Sequence, residues 1–158
     1  MQRIAWLKVS ATALAVIALD QVSKTWIVGA LGPDVATHRR ELVGSWVAFE
    51  YVQNRGAAFG LFAGGGALVL ALVAAGFVIL AVALRRVSRP SNWFLIAAGL
   101  VGGGAVGNAI DRLRLGHVTD FMAIGAWWRF NVADSAVTVG VLMLIWLSMQ
   151  ARDERENG

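Results

Sequence analysis

The chain has 158 residues, 58% of them hydrophobic and only 15% charged, whereas soluble domains of this size carry roughly a quarter charged residues. It holds 18 Gly, no Cys and two His, which excludes disulfide frameworks and thiolate chemistry and leaves too little for a zinc site built from nitrogen ligands. The formal charge of +4 sits largely on Lys and Arg that flank apolar blocks, a pattern of membrane topology and not of a nucleic-acid partner.

Four apolar blocks approach or exceed the roughly 18 residues of a spanning helix, over about 5–28, 66–84, 93–110 and 131–149. They predict an all-α polytopic membrane protein of one domain, 1–158, with larger loops over about 29–65 and 111–130. The first block is too long for the apolar core of a removable signal sequence and carries Asp20 and Lys24. An ion at the bilayer centre costs about 2.5–3.5 kcal/mol on insertion scales, so each one needs a reason. At i and i+4 with the acid first, this pair suits a structural salt bridge; tethering the outer loops or a substrate at the membrane edge is the functional alternative.

In the loop that follows, VGSWVAFEYVQN alternates Val47, Phe49 and Tyr51 against Ala48, Glu50 and Val52, which predicts a short one-sided strand. NRGAAFG and the triple Gly of FAGGG are turn signals before the second span. The short link RRVSRP is dense in Arg, and by the positive-inside rule it and both termini face the cytoplasm, with the two larger loops outside.

The third block carries Gly99, Gly103 and Gly107 at intervals of four, a smooth groove for close helix approach. Gly104, Asn108 and Asp111 align on one helical side beside it. Asp111 next to Arg112 reads first as a span end with its own counter-ion. Asn54 and Asn108 suit the satisfaction of backbone groups in irregular outer segments. Asp120 alone is a loop acid, and Asp134 alone is a helix-start acid favoured by the helix dipole. Trp6, Trp26, Trp93 and Trp146 lie toward span ends, where aromatic belts form.

Asp20, Asp111, Asp120 and Asp134 all gather toward one face of the membrane, and such clusters are functional candidates. Two close carboxylates tend to share one proton: the ionised member takes a proton from water while the protonated one polarises a scissile carbonyl. That chemistry needs no Cys, metal or nucleophilic Ser. Rival readings are a His117, Asp120 and Ser135 set, which lacks a nucleophile-elbow pattern, and a Ser23 and Lys24 dyad, whose side chains point about 100° apart on a helix. A proton-coupled membrane carrier would usually show internal repeats and midplane charges, neither of which is clear here. A small membrane assembly factor has only the glycine groove in its favour.

The stretches DQVSK (20–24), NRGAAFG (54–60), GNAIDR (107–112), GHVTDF (116–121) and FNVADS (130–135) together resemble the ordered motif set of the lipoprotein signal peptidase family, or signal peptidase II. The resemblance covers most of the chain. It implies four spanning helices, a small extracytoplasmic β-cradle and a short amphipathic helix at the membrane surface. It implies an aspartic endopeptidase of the bacterial plasma (inner) membrane that cuts prolipoproteins just before a diacylglyceryl-modified Cys. Asp120 and Asp134 fall on the family's catalytic aspartates. Asp20, Lys24, Asn54, Gly56, Asn108, Asp111, Arg112 and Asn131 fall on positions that shape the site or support substrate. It further implies no metal or cofactor, membrane lipids and lipidated precursors as partners, a monomer, and inhibition by globomycin-type cyclic peptides. Gly60 departs from the Ser of many relatives, and the segment between the two acids is compact.

Overall fold

The computed structural model describes residues 2–33, 38–55 and 90–156. In chain order these form helix α1 (Gln2–Leu31), strands β1 (Arg39–Val43) and β2 (Val47–Asn54), helix α2 (Asn92–Leu115), strands β3 (Val118–Ile124) and β4 (Trp128–Phe130), and helix α3 (Val132–Glu156). All three helices are long and apolar enough to cross a membrane. The expected second span, 66–84, lies outside the described residues, as do Gly56 and the residues of its turn motif that follow it, 57–60.

Each helix runs past its predicted span at one or both ends, and in α2 caps set both ends. Ser91 accepts the Phe94 N–H (3.1 Å) at the start of α2. Gly116, at φ +73°, closes it with an N–H to the Arg112 carbonyl (3.1 Å), a left-handed conformation that favours glycine. Asp111 and Arg112, expected in a loop, therefore lie inside α2.

The glycines of α2 sort onto two neighbours. Gly99 and Gly103 face Thr12 and Ala13 of α1, and a Cβ at Gly103 would stand 2.7 Å from the Ala13 carbonyl oxygen. Gly104 faces α3, where a Cβ would come within 2.4 Å of the Ala133 carbonyl oxygen. In lipid no hydrophobic force drives helices together, so this backbone approach supplies the dispersion contact that does. It holds α2 between the other two.

The expected outer segment 111–130 is structured as well. Most of it is the end of α2 followed by the β3–β4 hairpin, joined to the earlier strands in one antiparallel sheet of order β1-β2-β3-β4. The strand expected at 47–52 is β2, and it pairs on both sides, Phe49 opposite Arg40 on β1 and opposite Met122 on β3. It is not one-sided. Phe49 and Tyr51 pack on a cluster of Ile27, Leu31 and Phe121, but Ala48 on the other face is buried too. A buried Phe such as Phe121 contributes about 1.5–3 kcal/mol, and here it seats the sheet on the end of α1. Only Gly116 and His117 separate α2 from β3, so Asp120 arrives close to the helix end.

Candidate active site

The last turns of α1 and α2 and the first turn of α3 converge beneath the sheet, and the polar residues of the spans meet there. Asp20, Lys24, Asp111, Asp120 and Asn131 are all buried. Lys24 Nζ lies 2.8 Å from Asp20 Oδ2 and 3.1 Å from Asp111 Oδ2, so one ammonium is shared by two carboxylates. The i, i+4 pairing of Asp20 and Lys24 is as the sequence predicts. The local Asp111 to Arg112 pair is not: Asp111 faces Lys24, because successive helical residues diverge, and Arg112 donates to the Asn108 carbonyl (3.3 Å).

Both acids of this triad also bind backbone. Asp20 Oδ1 accepts the Ala133 N–H (3.0 Å), one of the unsatisfied donors in the first turn of α3. Asp111 Oδ2 accepts the Thr119 N–H (3.0 Å) at the start of β3. Gln21 Nε2 lies between them, within reach of Asp20 Oδ2 (3.2 Å), Asp111 Oδ1 (3.0 Å) and the Gly107 carbonyl (3.3 Å). Gln21 and Thr119 were not singled out in the sequence. An uncharged amide beside Asp20 in an apolar span was the available signal for Gln21; a backbone N–H leaves none.

Two asparagines carry this triad to the second pair of acids. Lys24 Nζ donates to Asn108 Oδ1 (3.0 Å), which fixes the amide so that Asn108 Nδ2 donates to Asp134 Oδ1 (2.7 Å). Asn131 precedes α3 and caps it: its Oδ1 accepts the Asp134 N–H (2.9 Å), while Asp134 Oδ2 accepts the Asn131 N–H (3.2 Å). This is a capping box with Asp at the third position, so the helix-start reading of Asp134 holds and gains its partner. The same Asn131 donates from Nδ2 to Asp120 Oδ1 (2.8 Å), and Asn54 Nδ2 donates to Asp120 Oδ2 (2.9 Å). Asn131 thus touches both acids.

Burial pushes the Asp120 carboxyl up from 3.8 to about 6. The Asn54 hydrogen bond opposes this, the negative charge of Asp134 adds to it, and Asn131 and Lys24 pull it back. A carboxyl titrating near 6 can hold a proton next to an ionised neighbour and release it to a substrate. The rival serine arrangements do not assemble. Ser135 Oγ donates to the Asn131 carbonyl (3.0 Å), Ser23 Oγ to the Asp20 carbonyl (2.9 Å), and His117 Nδ1 lies 3.1 Å from the Leu115 carbonyl. Among the described residues His117 makes no hydrogen bond to Asp120 or Ser135.

Three apolar helices with a buried network of acids and amides at one end, closed by a small sheet, define an integral membrane protein with a polar centre at its rim. Comparison with known proteins says which one. The family profile described as Signal peptidase (SPase) II matches residues 12–150. The chain is 39% identical over 146 residues to the lipoprotein signal peptidase of Syntrophomonas wolfei, covering 91% of this chain and 95% of that one. It is 37% identical over 134 residues to that of Moorella thermoacetica, covering 85% and 87%. A bacterial membrane enzyme solved by the in meso method at 2.3 Å resolution superposes with a TM-score of 0.80 at 26% identity, over 91% of this chain and 88% of that one. The chain belongs to the signal peptidase II family and is a membrane-spanning peptidase.

Proposed function

We propose that the chain is an aspartic endopeptidase that removes the signal peptide from diacylglyceryl-modified prolipoproteins, cutting just before the lipidated Cys. The observation that carries this reading is Asn131, whose side chain and backbone hold Asp120 and Asp134 as one unit. Asp134, in the first turn of α3 where the helix dipole favours a negative charge, is the ionised member. Asp120, the more buried, carries the proton.

Asp134 takes a proton from a water molecule, and the resulting hydroxide attacks the scissile carbonyl. Asp120 gives its proton to the carbonyl oxygen, so the intermediate is a neutral gem-diol. Collapse breaks the C–N bond; the proton held on Asp134 goes to the leaving amine and one diol proton returns to Asp120. Both acids end as they began. The signal helix unwinds locally at the cut, since a helical amide is occupied by its own hydrogen bonds.

The topology of this reading has four spans, the second over 66–84, with both termini in the cytoplasm and the carboxylates at the outer face of a bacterial inner membrane. Asp20, Lys24 and Asp111 serve as the charged floor that orients Asn108 and the first turn of α3. The test is cleavage of a purified diacylglyceryl-modified precursor by Asp120→Asn and Asp134→Asn variants. Each should lose at least about a hundredfold in rate, the lower range for a positioned acid or base, while still inserting in the membrane. Near-normal turnover by either variant would refute the assignment.

A further inference from the structure

The far end of the sheet takes no part in this chemistry, yet it is tightly built. The β1–β2 and β3–β4 turns lie side by side, with the Gly125 N–H donating to the Trp46 carbonyl (2.8 Å). Arg39 and Arg129 both donate to Glu50 Oε2, at 2.8 and 3.0 Å, and each reaches a turn carbonyl, that of Ser45 (3.1 Å) and that of Ala126. These two Arg and the turn residues line a cleft of about 780 Å³. On this rigid frame stand bare rings: Trp46 is 73% exposed, Trp127 89% and Trp128 63%, with Leu42 and Val43 exposed beside them. A cluster of that kind marks an interaction surface.

The sheet's attachment indicates what covers it. Phe49 packs edge-to-face on Trp26, with centroids 5.8 Å apart and planes at 84°. Trp26 lies five residues before the end of α1, about 7.5 Å along the axis, and its own side chain is exposed on a membrane-spanning helix. Trp at that level belongs to the headgroup belt. The sheet is therefore held at headgroup depth, and Trp46, in the turn just before β2, is three residues from Phe49, about 10 Å of extended chain. The tip is positive, with Arg39, Arg40 and Arg129 against Glu41 and Glu50, and each guanidinium has five N–H donors, more than the internal bonds use. Amphipathic rings beside Arg suit a surface that is half apolar and carries phosphate.

We propose that this tip is an interfacial anchor: Trp46, Trp127 and Trp128 sit in the phospholipid headgroup layer and Arg39 and Arg129 face lipid phosphates. Together with Trp26 it sets the depth of the sheet, and with it that of Asp120 on β3. The anchor itself needs only a membrane-spanning chain; its consequence for cleavage rests on the function proposed above.

The chain has no Cys, so Trp127→Cys with a nitroxide label reports one position. The labelled full-length protein is placed in vesicles of phosphatidylethanolamine and phosphatidylglycerol. Its accessibility to oxygen and to a water-soluble nickel complex is compared with that of lipids labelled at the headgroup and along the acyl chain. The proposal expects headgroup depth without substrate. A label as open to the nickel complex as one in water overturns it. Protection that appears only when lipidated precursor is added also overturns it, and makes the tip a substrate surface instead. A Trp46→Ser, Trp128→Ser double variant should raise KM for vesicle-borne precursor roughly tenfold, kcat and turnover in detergent staying near wild type. Equal loss in both media would overturn the depth-setting role. The label reads depth even if the catalytic assignment fails, so the two outcomes are separable.

Discussion

The contact between α1 and α2 changes character along its length. At Gly99 and Gly103 the two backbones meet through Val9, Thr12, Ala13 and Val16. One turn further, at Gly107, the facing group is the Asp20 carboxylate, with Oδ2 only 2.7 Å from where a Cβ would stand. The same four-residue spacing serves dry packing at one end and encloses an ion at the other. Close backbone approach, which the apolar end needs for cohesion, is what lets Asp20 reach the Ala133 N–H of α3 without leaving Lys24.

Breaking the ionic end should have the largest effect. Lys24→Met leaves Asp20 and Asp111 buried without their cation, and removing one partner of a buried ion pair costs about 3–5 kcal/mol. Thermal unfolding in detergent should show that loss, and cleavage should fall with it because Asn108 loses the donor that orients it. Asp20→Asn in the same chain should recover part of the stability by removing one orphaned charge. A single variant as stable as wild type would reduce the triad to the weight of a surface pair.

The two ends can also be compared with one substitution. Gly103→Ala and Gly107→Ala each insert a methyl group at 2.7 Å from an oxygen, and overpacking of this kind costs roughly 1–3 kcal/mol. At Gly103 the obstacle is backbone, so stability should fall while turnover per folded molecule stays the same. At Gly107 the obstacle is Asp20, so turnover should fall as well, by about tenfold, as the first turn of α3 shifts with it. Equal turnover in the two variants would show that the enclosed carboxylate does not position the site.

This division bears on what the residues alone could disclose. The glycine face was legible because a period of four survives in one dimension, and the apolar blocks located three helices for the same reason. The Asp20 to Lys24 pair was legible as an i, i+4 spacing. Partners from different elements were not. Lys24 to Asp111 joins α1 to α2, and adjacency along the chain pointed instead to Arg112. The β3–β4 hairpin was hidden because MAIGAWWR carries little alternation, and its strands are set by pairing, β3 with β2 and β4 with β3. Asp120 and Asp134 were marked by motif resemblance; the Asn131 bridge between them appears only in three dimensions.

A smaller effect is expected where the network meets β2. The Asn54 hydrogen bond favours the charged form of Asp120, so Asn54→Ala should raise that carboxyl further above about 6, by roughly one unit. Because the folded state already prefers the protonated acid, the stability lent by Asp120 is full at low pH. It declines as pH rises from 3.8 through about 6. The whole decline is worth about 3 kcal/mol at roughly 1.4 per unit. In the variant both this decline and the high-pH limb of the cleavage rate should move to higher pH. An unmoved limb would separate Asp120 from the titrating step.

Ser135→Ala should do least, although the residue adjoins Asp134. Its Oγ donates to the Asn131 carbonyl (3.0 Å), and the Ser135 N–H already donates to the same oxygen (3.2 Å). Loss of the hydroxyl therefore leaves that carbonyl bonded and does not disturb the Asn131 amide, which is what bridges the two acids. The cleavage rate should stay within about fivefold, since one redundant hydrogen bond is worth roughly 1 kcal/mol or less. A loss as deep as that of Asp134→Asn would transfer the chemistry to the hydroxyl. The ionic end of the α1–α2 contact would then support a serine site, not a pair of acids.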